Sequence, residues 1–134
     1  MRREKVSSPS PWEHQYAYCR ARRVGPMVFV AGTVAVDESG QVVGAGDVAE
    51  QARFIFRKIA AALRQCDAEL ADVVRTRMYL RDISQLDAVG AVHAEVFRDI
   101  VPVATGVEVS GLAGEGVDIE IEVDAVVSAD PVFG

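Results

Sequence analysis

From Val117 to Ala125 the chain reads Val-Asp-Ile-Glu-Ile-Glu-Val-Asp-Ala, with aliphatic and acidic residues alternating without a break. Successive strand side chains point to opposite faces. Ile119, Ile121, Val123 and Ala125 therefore share one face, and Asp118, Glu120, Glu122 and Asp124 the other. Carboxylates in a row repel one another unless cations, water or a ligand lie opposite them. Such a strand requires a basic partner strand, a solvated groove or a site.

A basic partner exists. Val73 to Leu80 reads as a strand with Val74, Thr76, Met78 and Leu80 at even positions and Arg75, Arg77 and Tyr79 at odd ones. Cross-strand charge pairs contribute roughly 0.2–1 kcal/mol each, and less when fully wet. Tyr16 to Arg23 alternates well enough for a strand that ends at Val24-Gly25-Pro26. Met27 to Val36 reads as the next strand, apolar on both faces, followed by a turn at Asp37-Glu38-Ser39-Gly40 and a short return from Gln41 to Val43.

Asp47 and Glu50 have capping-box spacing, and the helix after them runs to about Cys66 with Ala52, Ile55, Phe56, Ile59, Leu63 and Cys66 on one face. Asp82 and Gln85 repeat the spacing and open a second helix to about Asp99, with Leu86, Val89, His93, Val96 and Phe97 as its stripe. Pro102 stops it, Ala104 to Val109 forms another strand, and Gly111 to Gly116 is a loop. The order is ββαβαββ with a small extra strand near residue 42, an α+β fold. One sheet with both helices on the same face is the economical architecture. The opposite face then holds apolar residues beside charged rows, which predicts self-association through it. Residues 1–13, rich in Ser and Pro, are expected to be a mobile or loosely docked arm, residues 14–130 a single domain and residues 131–134 a tail.

The 134 residues suffice for one domain that buries roughly two thirds of its unfolded surface. A net charge of −6 argues against nucleic-acid binding, which depends on neutralising phosphates; a local basic patch remains around Arg20, Arg22 and Arg23. The apolar run from Met27 to Val36 is too short for a bilayer, and Arg2, Arg3 and Lys5 precede no apolar signal region. Cys19, Cys66, His14 and His93 form no metal-ligand cluster, so no metal or cofactor is expected. Free thiols fit a cytoplasmic protein.

Several blocks in order resemble the RidA family, also called YjgF or L-PSP endoribonuclease-like. These are Val28-Phe29-Val30-Ala31-Gly32, the helix Gln51 to Leu63 before Asp72-Val73-Val74, Glu95-Val96-Phe97, Pro102 to Leu112 with Val107-Glu108-Val109, and Ile119-Glu120-Ile121-Glu122. The resemblance implies a chorismate-mutase-like fold and a homotrimer with a central barrel, with pockets for a small-molecule metabolite at the subunit interfaces. It implies hydrolysis of reactive enamines and imines such as 2-aminoacrylate, with Glu120 positioning the attacking water and Tyr18 near the pocket.

The family's carboxylate-clamping arginine falls on Ala104, and a methyl group cannot replace a bidentate guanidinium. The chain thus resembles arginine-lacking branches, for which 2-imino acids are not the expected substrates. The family's Ser-Gly-Gln block reads Ala31-Gly32-Thr33, and its helix-two asparagine and tyrosine read Gly90 and His93. Thr105 and Gly106 offer a hydroxyl and a backbone N–H to a ligand. The candidate site is then Glu120 as the catalytic group, with Tyr18, Gly32, Thr33, Ala104, Thr105 and Gly106 around a ligand. A non-catalytic ligand-binding or regulatory trimer is the alternative, and ribonuclease activity fits badly with the acidic charge. The competing readings are a Glu120 paired with Arg75 or Arg77, a Tyr18 that is an ordinary strand aromatic, and a His93 held in the core.

Overall fold

In chain order the computed structural model, which describes residues 1–128, contains β1 (Arg3–Val6), α1 (Pro11–Tyr16), β2 (Ala21–Val24), β3 (Met27–Val34), α2 (Val48–Gln65), β4 (Val73–Leu80), α3 (Leu86–Phe97), β5 (Val103–Glu108) and β6 (Ile119–Val126). The six strands form one sheet in the order β1-β2-β3-β6-β4-β5. Every neighbouring pair is antiparallel except β4 and β5. The alternating segment is thus a central strand, with β3 on one side and the basic strand β4 on the other.

Its aliphatic face makes the core. Ile119, Ile121, Val123 and Ala125 are buried against Ala52, Ile55, Phe56, Ile59 and Leu63 of α2. Val89, Val92 and Phe97 of α3 close the same cluster, and Phe56 meets Phe97 edge-on at 5.3 Å between ring centres. Each fully buried aliphatic or aromatic side chain stabilises by about 1.5–3 kcal/mol. The helical period of α2 produced this stripe, and Asp47 caps the helix by accepting from the Glu50 N–H at 3.1 Å.

Four features differ from the sequence expectation. Within residues 1–13, expected as a mobile or loosely docked arm, β1 pairs with β2 and Val6 is buried. Ser10 caps α1 ahead of Pro11 at the first helical position, and Glu13 accepts hydrogen bonds from the Ser8 N–H and hydroxyl. The strand expected from Tyr16 begins only at Ala21, because α1 ends at Tyr16 with Ala17 in the left-handed region. Asp82 caps a single 3₁₀ turn, Ile83–Gln85, before α3 starts at Leu86. Asp118 leaves the acidic row and accepts from Gln51 of α2. The expected tail, 131–134, lies outside the described residues.

The face away from the helices carries Arg22, Phe29, Asp124 and Arg75 in one cross-strand register. Met27, Phe29, Val103, Val107 and Val126 are exposed.

Candidate functional site

The carboxylates of β6 differ in how they are satisfied. Glu122 accepts from the Tyr79 hydroxyl at 2.5 Å and lies 3.7 Å from Arg77. Asp124 lies 3.4 Å from Arg77 and 3.8 Å from Arg75. The basic strand therefore neutralises these two, and Arg77 is committed to them as an ion-pair partner. Glu120, half-buried, makes no hydrogen bond or ion pair among the described residues. Burial pushes its carboxyl above the ordinary range; nearby Arg20 acts downward and Glu122 upward.

Gly32 makes the space for this carboxyl. A Cβ at Gly32 would stand 2.9 Å from Glu120 Oε2, inside van der Waals contact. Here glycine answers a close approach rather than an unusual backbone angle. The pairing of β3 with β6 shifts register between Val30 and Thr33, a bulge in the ladder. Two cations bind carbonyls along this stretch: the Arg20 guanidinium donates to Gly32 O at 2.6 Å within the shift, and Lys58 Nζ donates to Val34 O at 3.0 Å and Val36 O at 2.9 Å beyond it. Desolvation holds the Lys58 ammonium below its usual range.

The remaining candidates are spread across the sheet. Tyr18, exposed, lines a groove of about 410 Å³ with Cys19, Arg22, Phe29, Glu122 and Asp124, and Glu120 does not border that groove. Thr33 is buried and its hydroxyl donates to Ala31 O at 2.8 Å. Ala104 and Thr105 are exposed on the edge strand β5, which β4 separates from Glu120. A Cβ on Gly106 would stand 2.9 Å from Leu86 Cδ1, so this glycine lets α3 pack close. Among the candidate ligand residues, Gly32 is the one brought into close approach with Glu120 by the strand pairing. Arg20 and Lys58 are the residues the sequence reading did not place at the site.

His93 has a structural position. Its Nε2 lies 2.8 Å from the hydroxyl of fully buried Thr76, and its ring packs on Phe56 and Phe97. Burial lowers its pKa from 6.5. An unfolded chain therefore binds more protons than the folded one between the two values. The stability His93 contributes is complete above about pH 6.5 and is lost as pH falls through the folded value. We expect His93→Gln to flatten the pH dependence of unfolding in that window, as read by urea midpoints at successive pH values; an unchanged slope would refute the assignment.

No group of three or more His, Cys, Asp or Glu able to hold a metal ion occurs among the described residues, and no helix among them is long and apolar enough to cross a membrane. Residues 9–127 match the family model described as endoribonuclease L-PSP. The chain belongs to this family, the RidA/YjgF family. A crystal structure of a Mycobacterium tuberculosis member of the YjgF/YER057c/UK114 family superimposes with a TM-score of 0.85 at 47% identity, over 94% of this chain and 100% of that one. An uncharacterised Streptomyces coelicolor protein is 36% identical over 121 residues, 90% of each chain. The RutC protein of Acinetobacter baylyi, named 3-aminoacrylate deaminase, is 34% identical over 104 residues, 78% of this chain and 82% of its own. The RidA/YjgF fold accounts for the mixed sheet with helices packed on it.

Proposed function

We propose that this RidA/YjgF chain forms a homotrimer with small-molecule pockets between subunits, where it hydrolyses imine- or enamine-type reactive metabolites by water attack. The observation that carries this reading is Glu120, a half-buried carboxyl without a partner among the described residues, beside two carboxylates that the basic strand has neutralised. A carboxylate held above its ordinary range by burial is a stronger acceptor for a proton of the attacking water. As the water oxygen bonds to the imine carbon, one water proton passes to Glu120 and the C=N π pair goes to nitrogen, which takes a proton from solvent. Glu120 then returns its proton to that nitrogen, the C–N bond breaks to release ammonia, and the hydroxyl proton is lost to solvent as the carbonyl forms. The name of the Acinetobacter relative, a 3-aminoacrylate deaminase, supports this class of chemistry. The exposed Met27, Phe29, Val103, Val107 and Val126 supply the apolar surface that assembly would cover.

Ala104 narrows the substrate. A cationic clamp on β5 would favour 2-imino acids, and β5 has no cation between Val103 and Glu108. Imines without a carboxylate should therefore be turned over, whereas free 2-aminoacrylate should disappear no faster with the protein than without it. Ammonia release from imines generated in situ measures both. Rapid turnover of 2-aminoacrylate would overturn the weight placed on Ala104. A silent panel together with a saturable ligand would instead favour a non-catalytic ligand-binding or regulatory trimer, the reading that Ala104 also suits.

A further inference from the structure

Arg20 is held in an unusual state for a cation. Its backbone is fixed on both sides, its N–H donating to Val6 O at 2.7 Å and its carbonyl accepting from the Ala31 N–H at 3.0 Å. Its side chain donates to Gly32 O at 2.6 Å, while Nε is the one buried side-chain polar atom among the described residues without a hydrogen-bond partner. Removing a guanidinium from water is costly unless a carboxylate pairs with it. No carboxylate among the described residues does so, and a buried polar group left unpaired calls for an explanation beyond packing. The residue it holds, Gly32, is the one over which the Glu120 carboxyl lies.

We propose that Arg20 is the positioning residue of this site: fixed on the Gly32 carbonyl over which the Glu120 carboxyl lies, it sets its charge beside that carboxyl and favours the form that accepts a proton. The inference rests on Glu120 as the base. The charged and titratable groups around Glu120 are Glu122 on its own strand, Tyr79 on the paired β4, Lys58 on α2 bound to the carbonyl of its β3 partner Val34, and Arg20. Glu122 is already paired with Tyr79 and Arg77, and Lys58 is engaged with carbonyls. Arg20 is the cation left to act on Glu120. The arrangement also accounts for a basic residue that neutralises no acid of the sheet.

Carbon-13 NMR of the glutamate carboxyls reads the effect directly and requires no substrate. In Arg20→Gln, whose amide can still donate to Gly32 O, the Glu120 titration should move to higher pH. In Arg20→Lys, which keeps the charge, it should stay near the wild-type position. On a turned-over imine, the acid limb of kcat/KM should move upward in Arg20→Gln, with the alkaline plateau retained within about twofold. An unchanged Glu120 titration in Arg20→Gln would overturn the proposal. So would loss of folding in both Arg20→Gln and Arg20→Met, which would assign Arg20 to structure. If Glu120→Gln instead keeps full turnover, it is the base reading that fails, whatever the titration shows.

Discussion

Glu120→Gln should lower imine turnover by about 10²–10⁴-fold, the usual contribution of a positioned general base, while the protein remains folded. Glutamine matches glutamate in shape, so the close contact with Gly32 is kept. No hydrogen bond or ion pair is lost, because Glu120 makes none among the described residues. The electrostatic consequence favours the variant. Burial raises the folded-state pKa, so the folded chain binds more protons than the unfolded one, and wild-type stability falls as pH rises from about 4.5 through the folded value. The amide carries no charge to desolvate. At neutral pH Glu120→Gln should therefore unfold at the same urea concentration as wild type or a higher one. An essential structural acid would show the opposite. Turnover by ammonia release and stability by denaturant titration separate the two roles, and retained turnover would remove Glu120 from the mechanism.

The parts of this fold that were legible in the sequence are those that periodicity encodes. Alternation placed the aliphatic residues from Ile119 to Ala125 on the core and made the strand of Arg75 and Arg77 the complement of the acidic row; the observed register pairs these arginines with Asp124 and Glu122 and leaves Glu120 out. The stripe of α2 was legible for the same reason. What stayed hidden depends on single backbone events. The bulge between Val30 and Thr33 has no periodic signature, yet it brings Gly32 under Glu120. Arg20, Arg22 and Arg23 read as one basic patch, but they go to different places. Arg23 is buried and donates to Cys66 O at 2.6 Å and Gly25 O at 2.8 Å, and Arg22 lines the Tyr18 groove. Arg20 reaches the bulge. Composition groups such residues; only the path of the chain separates them. At the N-terminus, Ser10-Pro11 was a helix-start signal concealed by the density of Ser and Pro around it.

Gln51→Leu should cost about 2–4 kcal/mol, more than most single substitutions. Gln51 is fully buried near the start of α2 and ties down the loop that leads into β6. Its amide nitrogen faces Gly44 O at 3.2 Å, Gly116 O at 3.1 Å and Asp118 Oδ2 at 3.2 Å, and its oxygen accepts from the Asp118 N–H at 3.0 Å. Leucine fills a similar volume but strands those groups, and a buried polar group left unsatisfied costs about 1–3 kcal/mol. For a chain of this size that amounts to a fall in melting temperature of roughly 10 °C. The same bonds fix Asp118, two residues before Glu120, so loosening them also loosens the carboxyl over Gly32. Gln51→Glu discriminates the cause. It retains shape and an acceptor, but it loses the donors and adds a negative charge beside Asp118, so it should be at least as destabilising as leucine. If both variants melted with wild type, water would be replacing the amide at each partner, and the entry to β6 would owe its geometry to the strand pairing alone.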